Sequence, residues 1–549
     1  MSRLLDRHRE MLDDALNAIR TREFWTPFPE VPSGKIYGET AREDGESSFS
    51  ALLGKPFDLP GHPEESRLGA EVSPWGLELG LSYPAASPET LVAASENASP
   101  EWSSAPVETR VGILLEALVR LNRQSFLIGH ATQHTTGQAF PMAFQAGGPH
   151  AQDRGLEAVA TAYAEMTSVA GTALWEKPQG KHAPIVLEKH WRIVPRGVAL
   201  TICCNTFPTW NGYPGLFASL ATGNTVIVKP HPMAILPLAI TVKVLREVLA
   251  EEGLPADTVL LAADEPEAPV TKQLVEARDV RIVDFTGSST FGSWIRSHAG
   301  DALVFTEETG VNSVVVTGTD AFAAMCANLA FSIALYSGQM CTSPQNIYVP
   351  KNGIETDEGH KSFDEVLSAI AAAVDALTAD PKQAAGICGA IVNPATIERV
   401  AGARSSGRVL RDSGETGSGR SATPLIIAIE GDTKRHEDEC FGPVVFAVPA
   451  ETAEAAIDAA AGLARRKGAI TAALYATDQT LIDRAAQAFA RAGVNLSVNL
   501  TGNIYVNQSA AFSDFHVTGA NPAGNASLTD TAFVAPRFRR VMIRWPKTA

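Results

Sequence analysis

Short apolar runs alternate with helical stripes between residues 198 and 305. Runs typical of buried strands lie at residues 198–202, 225–228, 258–261 and 281–285. Apolar spacing typical of helices lies at residues 216–222, 234–250, 270–277 and 289–298. Strands that alternate with helices form parallel sheets through right-handed crossovers, and ligands bind at the carboxyl ends of the strands. The pattern therefore predicts a dinucleotide-binding α/β architecture.

Apolar patterns on both sides of this region predict further elements. Before it we expect an amphipathic helix at residues 1–20, a loop-rich segment that includes residues 45–50, helices across residues 106–166 and a strand at residues 185–193. After Glu307 a second α/β segment begins, with a strand at residues 314–317 and a long helix at residues 321–336. The chain has 549 residues, which is too long for one ordinary core, so two large domains are expected.

Composition and charge exclude several classes of protein. Hydrophobic residues make up 45% of the chain and charged residues 19%, as in globular α/β proteins. The formal net charge is −16 and no Lys/Arg run offsets it, so we expect no nucleic-acid partner. No apolar stretch reaches the roughly 20 residues that cross a bilayer, so no membrane span is expected.

The chain termini and cysteines bear on location and redox state. The amino-terminal helix carries charged residues where a signal peptide would have an apolar block, so a cytoplasmic location is predicted. The six cysteines include no CxxC pair, and adjacent Cys203 and Cys204 are poorly placed to bond to each other. We therefore expect free thiols and no metal site.

Cys341 is the candidate nucleophile. It follows a long predicted helix in Gly338-Gln339-Met340-Cys341, where a glycine turn can present the side chain to a cleft, although free cysteines are more often inert packing. Glu307, upstream at the end of a predicted strand, makes a reactive cysteine more plausible. A thiolate can attack an aldehyde carbon, hydride can leave the thiohemiacetal, and a carboxylate can activate the water that hydrolyses the thioester. Asn205 and the Cys341 backbone N–H are candidate oxyanion donors.

Three further segments are candidates for binding a cofactor. Gly287 and Ser288 open a predicted helix directly after a strand, where backbone N–H groups favour phosphate, but such a turn is about as often structural. Lys229-Pro230 ends another strand, where a solvated lysine is the more common interpretation. Residues 439–443, Glu-Cys-Phe-Gly-Pro, form a third segment that could equally be a plain turn.

Together these segments resemble the aldehyde dehydrogenase superfamily over roughly residues 100–545. The matching segments are Asn205 to Pro208, Gly223 to Pro230, EETGVN at residues 307–312, GQMC at residues 338–341 and ECFGP at residues 439–443. The resemblance implies that Cys341 is the nucleophile, Glu307 the base and Asn205 the oxyanion donor. It also implies a cofactor site formed by Lys229 at the adenosine ribose, Gly287 and Ser288 at the pyrophosphate, Glu439 at the nicotinamide ribose, Phe441 at the nicotinamide ring, and Ile202.

The resemblance implies an α/β fold of the aldehyde dehydrogenase type, with two Rossmann-like parallel-sheet domains and a small β oligomerisation element. The expected division is an extension at residues 1–95, a dinucleotide-binding domain at 96–305 with oligomerisation strands near 172–195, a catalytic domain at 306–505 and a completing segment at 506–549. A homodimer or higher homo-oligomer is expected.

Departures from the family pattern affect the cofactor, the base and the substrate. Pro232 stands where NAD-preferring members carry a glutamate for the ribose 2′-hydroxyl, so NADP is the expected cofactor, with NAD as the alternative. EETGVN replaces ELGGKN, which leaves Glu308 as a second candidate for the base, although motif position favours Glu307. The family's carboxyl-terminal PFGG segment is replaced by residues 507–516, NQSAAFSDFH, which indicates an unusual substrate pocket.

The extension, the EETGVN variant and residues 507–526 are most similar to the stand-alone dehydrogenases of phenylacetic acid degradation. That resemblance implies a ring-opened, CoA-linked semialdehyde as substrate, 3-oxo-5,6-dehydrosuberyl-CoA semialdehyde. The chain ends about 40 residues after Asn507, shorter than an ordinary domain, so a separate hydratase is the expected pathway partner. Two alternatives remain: an acylating enzyme that passes the thioester to CoA, against which Glu307 argues, and a non-catalytic structural member of the fold.

Overall fold

The computed structural model describes residues 3–308, 310–431, 433–502 and 510–547. Its helices are α1 (Arg3–Arg7), α2 (Arg9–Thr21), α3 (Gly34–Tyr37), α4 (Ala41–Leu52), α5 (Pro88–Ser104), α6 (Val107–Arg123), α7 (Ser125–Thr136), α8 (Phe140–Gly147), α9 (Pro149–Thr167), α10 (Pro208–Ala221), α11 (Leu236–Glu251), α12 (Thr271–Glu276), α13 (Ser289–His298), α14 (Phe322–Ala334), α15 (Phe363–Leu377), α16 (Pro381–Cys388), α17 (Ala395–Ala403), α18 (Ala453–Lys467), α19 (Gln479–Arg491) and α20 (Thr531–Val534).

Its strands are β1 (Ser66–Leu68), β2 (Tyr83–Ala85), β3 (Thr172–Gln179), β4 (His182–Pro195), β5 (Val198–Ile202), β6 (Thr225–Lys229), β7 (Val259–Leu261), β8 (Val280–Gly287), β9 (Leu303–Glu308), β10 (Ser313–Val316), β11 (Gly318–Thr319), β12 (Asn346–Pro350), β13 (Ile354–Thr356), β14 (Gly359–Lys361), β15 (Gly407–Arg411), β16 (Leu425–Ile429), β17 (Val444–Ala450), β18 (Thr471–Tyr475), β19 (Asn495–Val498) and β20 (Phe538–Pro546). No helix within these described ranges is long and apolar enough to span a membrane.

Two sheets organise the chain. The first has five parallel strands in the order β7-β6-β5-β8-β9, and its apolar faces are covered by α5 and α10 to α13. The second has seven strands in the order β15-β16-β17-β12-β10-β18-β19, in which only the edge strand β15 is antiparallel. Crossover helices bury both faces of each sheet, which accounts for the continuous apolar runs. The α/β fold class predicted from the sequence is confirmed.

The amino-terminal segment differs from the loop-rich extension that its composition indicates. Residues 45–50 lie inside α4, and a Cβ on Gly45 would lie 2.3 Å from the Cβ of Phe126 on α7. The glycine therefore permits close helix packing instead of a turn. Leu5 and Leu12 are fully buried in the core around the five-stranded sheet. The segment thus belongs to that core, and α5 continues across the predicted boundary at residue 95.

A small antiparallel sheet lies where the oligomerisation strands were predicted. β4 pairs with β3 on one side and with β20 from the carboxyl-terminal segment on the other. Trp175, Ile543 and Trp545 are each more than a third exposed on this sheet. Exposed apolar side chains of this kind are typical of interaction surfaces. The role of the sheet in oligomerisation stays a prediction.

A buried ion pair fixes the start of β20 to the five-stranded sheet. Arg537 is fully buried and contacts both carboxylate oxygens of Asp284 on β8, at 2.8 and 2.5 Å. It also donates to Ser219 Oγ on α10 at 2.7 Å. Because one guanidinium contacts both β8 and α10, it holds the start of β20 against the core of the five-stranded sheet.

We expect Arg537→Ala to lower the free energy of unfolding by about 3–5 kcal/mol, because it leaves the Asp284 carboxylate buried without its cation. Urea denaturation at pH 7, followed by circular dichroism, measures this change. The matched control is Arg484→Ala, which removes an exposed pair with Asp458 and should cost less than about 1 kcal/mol. Equal effects of the two changes would contradict the assignment.

Candidate active site

Cys341 follows a turn with unusual backbone geometry. Directly after α14, the 3₁₀ turn Leu335–Gly338 has positive φ at Tyr336 (49°), Ser337 (50°) and Gly338 (62°). The Tyr336 and Ser337 side chains donate hydrogen bonds to backbone carbonyl groups, which hold this conformation. Left-handed conformations at non-glycine residues are costly and persist where surrounding contacts enforce them. The turn aims the following loop, with Cys341, at the junction between the two sheets.

The GQMC and ECFGP segments pack directly on each other. A Cβ on Gly338 would lie 2.5 Å from the carbonyl oxygen of Gly442, so this contact requires glycine. Gln345, just after the Cys341 loop, accepts a hydrogen bond from the Cys440 N–H at 2.6 Å and donates one to the Asp438 carbonyl at 3.1 Å. Glu439 and Phe441 are therefore carried on a segment fixed to the nucleophile loop.

Asn312, the last residue of EETGVN, fastens the Cys341 loop to the seven-stranded sheet. Its buried side chain donates hydrogen bonds to the carbonyl groups of Cys341 at 2.7 Å and Ser343 at 3.1 Å. Its Oδ1 atom accepts from the N–H groups of Ile470 and Thr471, at 3.0 and 3.2 Å. One amide thus satisfies four backbone groups from two segments.

Cys341, Glu307 and His516 form one cluster. The His516 Nε2 atom lies 2.8 Å from Glu307 Oε1 and 3.5 Å from Cys341 Sγ. One polar atom from each of the three residues lies within 4.8 Å of the others, a spacing that could also hold a metal ion. Glu307 and His516 are 3% and 2% exposed, whereas Cys341 is partly exposed, so the acid and the histidine are buried behind the thiol.

The two adjacent glutamates have different surroundings. Glu307 receives hydrogen bonds from Asn211 Nδ2 on both carboxylate oxygens, at 3.1 and 3.0 Å, and faces Cys341. Glu308 points to the other side of β9, where it pairs with Arg296 of α13. Because successive side chains of a strand point to opposite faces, only one of the two can reach the thiol. The geometry therefore favours Glu307 over Glu308 as the residue beside the nucleophile.

Burial raises the pKa of the Cys341 thiol well above its ordinary value. The Glu307 carboxylate and the neighbouring Cys204 raise this pKa further, because a second negative charge close by is unfavourable. Burial likewise raises the pKa of Cys204. All six cysteines are free, as predicted.

Comparisons with known proteins identify the family of this chain. The model of the aldehyde dehydrogenase family matches residues 71–524. The chain belongs to the aldehyde dehydrogenase family. It is therefore an enzyme that oxidises aldehydes with a nicotinamide cofactor, as predicted.

Individual relatives match most or all of the chain. The crystal structure of an NAD-dependent aldehyde dehydrogenase from Burkholderia multivorans superposes with a TM-score of 0.98 and 50% sequence identity over 100% of both chains. A 1-pyrroline-5-carboxylate dehydrogenase from Bacillus subtilis (strain 168) is 24% identical over 541 residues, covering 94% of this chain and 96% of its own. An N-succinylglutamate 5-semialdehyde dehydrogenase from Burkholderia orbicola (strain MC0-3) is 26% identical over 392 residues, covering 69% and 75%.

In this aldehyde dehydrogenase a small cleft is lined in part by Glu307 of the Cys341 cluster. It lies at the carboxyl ends of β5, β8 and β9, and its lining includes Ile202, Thr286 and Glu307. Ligands of parallel sheets bind at this edge. Ser288, exposed at the start of α13, is the N-cap residue and leaves the helix start open to solvent, where N–H groups favour phosphate. A Cβ on Gly287 would lie 2.6 Å from the Phe285 ring, so the glycine leaves room for this ring in its present position.

Two other predicted site residues, Lys229 and Asn205, make no contact with the Cys341 cluster among the hydrogen bonds and ion pairs of the described residues. Lys229 is 2% exposed, and its Nζ atom is paired with Asp264 Oδ1 at 2.7 Å, so in this structure the ammonium group faces a carboxylate. Asn205 is half-buried in the turn between β5 and α10. No hydrogen bond joins its side chain to Cys341 in the part of the chain that the structure describes. The roles of both residues stay predictions.

Sequence reasoning missed Asn211 and His516. Asn211 lies in the first turn of α10, directly after the Asn205 segment, and that proximity was the available signal. His516 lies in the segment that departs from the family pattern, and the departure itself marked it. Residues 507–509 of that segment, and Thr309 of EETGVN, lie outside the described residues.

We expect Gly338→Ala to lower the unfolding midpoint and to reduce turnover, because the methyl group would collide with Gly442 at a positive φ that costs a non-glycine residue about 1–3 kcal/mol. Thermal unfolding and steady-state rates measure both effects. The matched control is Gly386→Ala in α16, where a Cβ meets nothing within 4 Å. A neutral Gly338→Ala would show that the contact between the two segments is not required.

Proposed function

We propose that this enzyme oxidises an aldehyde to a carboxylic acid through a thioester on Cys341, with Glu307 as the base that activates water. The observation that supports it is the placement of Glu307. Its carboxylate lies within 4.8 Å of the other two members of the Cys341 cluster, and the same residue lines the cleft at the end of the five-stranded sheet. The Glu307 carboxylate can thus activate a water molecule next to an acyl group held on Cys341, and it would do so from the side of the cleft.

Each step of the proposed reaction uses a residue of this cluster. The Cys341 thiolate attacks the aldehyde carbon, and the Cys341 backbone N–H with the Asn205 amide would stabilise the oxyanion. When bound, the nicotinamide cofactor supplies the hydride acceptor. Residues that would hold it are Ile202 and Gly287 with Ser288 in the cleft, Glu439 and Phe441 on the ECFGP segment, and Lys229. Glu307 then takes a proton from water, which attacks the thioester and releases Cys341 as a thiolate.

We expect Cys341→Ser to lose turnover and Glu307→Gln to give a single burst of reduced cofactor before it stalls as the thioester. Rapid-mixing absorbance at 340 nm and the mass of the intact protein measure the burst and the trapped acyl group. The matched control is Glu308→Gln, which alters the neighbouring carboxylate paired with Arg296 and should keep steady turnover. Full steady turnover of Glu307→Gln would reassign the base.

Water is the proposed acceptor of the acyl group, in preference to CoA. An acylating enzyme does not require a base, whereas Glu307 is held in place by Asn211 through both carboxylate oxygens. Steady-state assays with and without free CoA distinguish the two reactions. Obligatory dependence on CoA would overturn the hydrolytic proposal.

The proposed cofactor preference is NADP, with NAD also accepted. Pro232 offers no carboxylate to a ribose 2′-hydroxyl, and the nearby Asp264 is occupied by Lys229 and by the N–H of Val270 at 3.0 Å. A 2′-phosphate would therefore meet little repulsion. The relative from Burkholderia multivorans is described as NAD-dependent, which supports testing both cofactors.

We expect the dissociation constant of NADP to lie below that of NAD, or within tenfold of it. Fluorescence titration of the purified enzyme with each cofactor measures both constants. Binding of NAD more than about tenfold tighter, roughly 1.4 kcal/mol, would contradict the inference from Pro232.

The proposed substrate is a ring-opened, CoA-linked semialdehyde of phenylacetate catabolism, 3-oxo-5,6-dehydrosuberyl-CoA semialdehyde. The motif resemblance supports it, as does the semialdehyde substrate class in the name of the Burkholderia orbicola relative. A homodimer or higher homo-oligomer built on β3, β4 and β20 is proposed with it. Product identification by mass spectrometry, with this substrate and with simple aldehydes as comparison, tests the assignment.

A further inference from the structure

His516 occupies a position that the reaction described above does not use. Its Nε2 atom faces both reactive groups, Glu307 Oε1 at 2.8 Å and Cys341 Sγ at 3.5 Å. Its Nδ1 atom is buried and has no hydrogen-bond partner among the described residues. The ring lies edge-on to Trp210, with centroids 4.6 Å apart. Packing against Trp210 fixes the ring plane, so the position of Nε2 between the acid and the thiol is well defined.

The cluster presents an electrostatic problem that a base at this position would solve. Attack on an aldehyde requires a thiolate, and hydrolysis requires an ionised Glu307. Two negative charges this close in a buried site strongly disfavour each other. Burial and the Glu307 carboxylate both raise the pKa of Cys341, so the thiol would otherwise stay protonated. A positive charge between the two groups would remove the conflict.

Of the charged and titratable groups near the His516 ring, His516 itself is the one placed to carry a positive charge between Glu307 and Cys341. Arg154 on α9 lies 4.9 Å from the ring centroid of Trp210 and pairs with Glu157 at 3.2 Å. Cys204 is an acid and raises the pKa of Cys341. Among the described residues, His516 is the one basic side chain that hydrogen-bonds to the Glu307–Cys341 pair.

We propose that His516 is a catalytic residue that accepts the proton of the Cys341 thiol. This inference rests on the proposed role of Cys341 as nucleophile. In the tautomer that carries its proton on Nδ1, the S–H bond breaks, its electron pair stays on sulfur, and a new N–H bond forms at Nε2. This hydrogen is the one that Nε2 then donates to Glu307 Oε1 across the 2.8 Å contact. The resulting imidazolium lies beside both the thiolate and the Glu307 carboxylate. Because the proton moves within the cluster, the net charge of the cluster stays the same. When hydrolysis releases the acyl group, sulfur returns as a thiolate to the same imidazolium.

This role predicts a specific pH profile for the reactivity of Cys341. With His516 present, thiolate persists at neutral pH as one half of an ion pair. Without it, thiolate should form only at a pH above the ordinary thiol range, because the neighbouring carboxylate opposes ionisation. A purely structural histidine would instead change reactivity by a similar factor at every pH.

The experiment measures alkylation of Cys341 by iodoacetamide in the full chain, with EDTA present to exclude metal masking, from pH 6 to 10. Mass spectrometry of the Cys341 peptide separates it from the other five cysteines. His516→Gln should slow alkylation at pH 7 at least about tenfold and approach the unmodified enzyme at pH 10. His516→Asn, of smaller volume, is the second variant in case the first unfolds. The matched control His360→Gln alters an exposed histidine paired with Glu355 at 2.9 Å, and should keep the original profile.

Two results would overturn the proposal. One is an unchanged pH profile in both His516 variants, and the other is an equal loss of reactivity at every pH in folded protein. The readout needs neither aldehyde nor cofactor, so it is separate from the proposed function. Suppose that Cys341→Ser retained turnover while His516→Gln shifted the alkylation profile. Cys341 would then not be the nucleophile, but His516 would still be the group that accepts the proton of its thiol.

Discussion

The Asn312 side chain is the interaction on which the site depends. It lies in the short connection between β9 of the five-stranded sheet and β10 of the seven-stranded sheet, and it binds four backbone groups of the Cys341 loop and the start of β18. Glu307 lies at the end of β9, directly before this connection. A single short segment, residues 307–312, therefore fixes the positions of both the Glu307 carboxylate and the loop that carries the Cys341 thiol. This explains why two groups from different sheets come so close.

The carboxyl-terminal segment closes this junction from the other side. Gly524 bridges to Glu307, and Ala523 accepts a hydrogen bond from the N–H of Glu308 at 2.6 Å. His516 precedes this contact, and Arg537 follows it with its buried pair to Asp284. Because one segment contacts β9 at its reactive end and β8 within the core, stability and the position of His516 are coupled.

Charge is distributed unevenly across the site. Glu307, Cys341 and Cys204 are acids gathered in a buried space, while Asn211 contributes only neutral donors to Glu307. Buried charges are costly unless they are paired. The electrostatics therefore demand a base within the cluster, and the chain places one on a segment far from the others in sequence.

Periodicity predicted most of the fold because each element buries a face of its own. The strands β5 and β6 and the helix α13 agree with the predicted bounds to within one residue. The prediction failed at residues 45–50, where Gly and Ser, which are common in loops, lie inside helix α4. A small residue is needed there because α7 packs closely against this face of α4. Local composition cannot register such a contact, because its partner is distant in the chain.

By itself, the sequence determined the α/β class, the family, and Cys341 with two adjacent glutamates, of which motif position favoured Glu307, because these follow from short-range patterns and motifs. Only the tertiary structure decided which of two adjacent glutamates faces the thiol, and that Asn211 and His516 complete the cluster. Strand alternation sends Glu308 away, and the return of the carboxyl-terminal segment brings His516 in. Both outcomes depend on contacts between elements, which spacing along the chain does not encode.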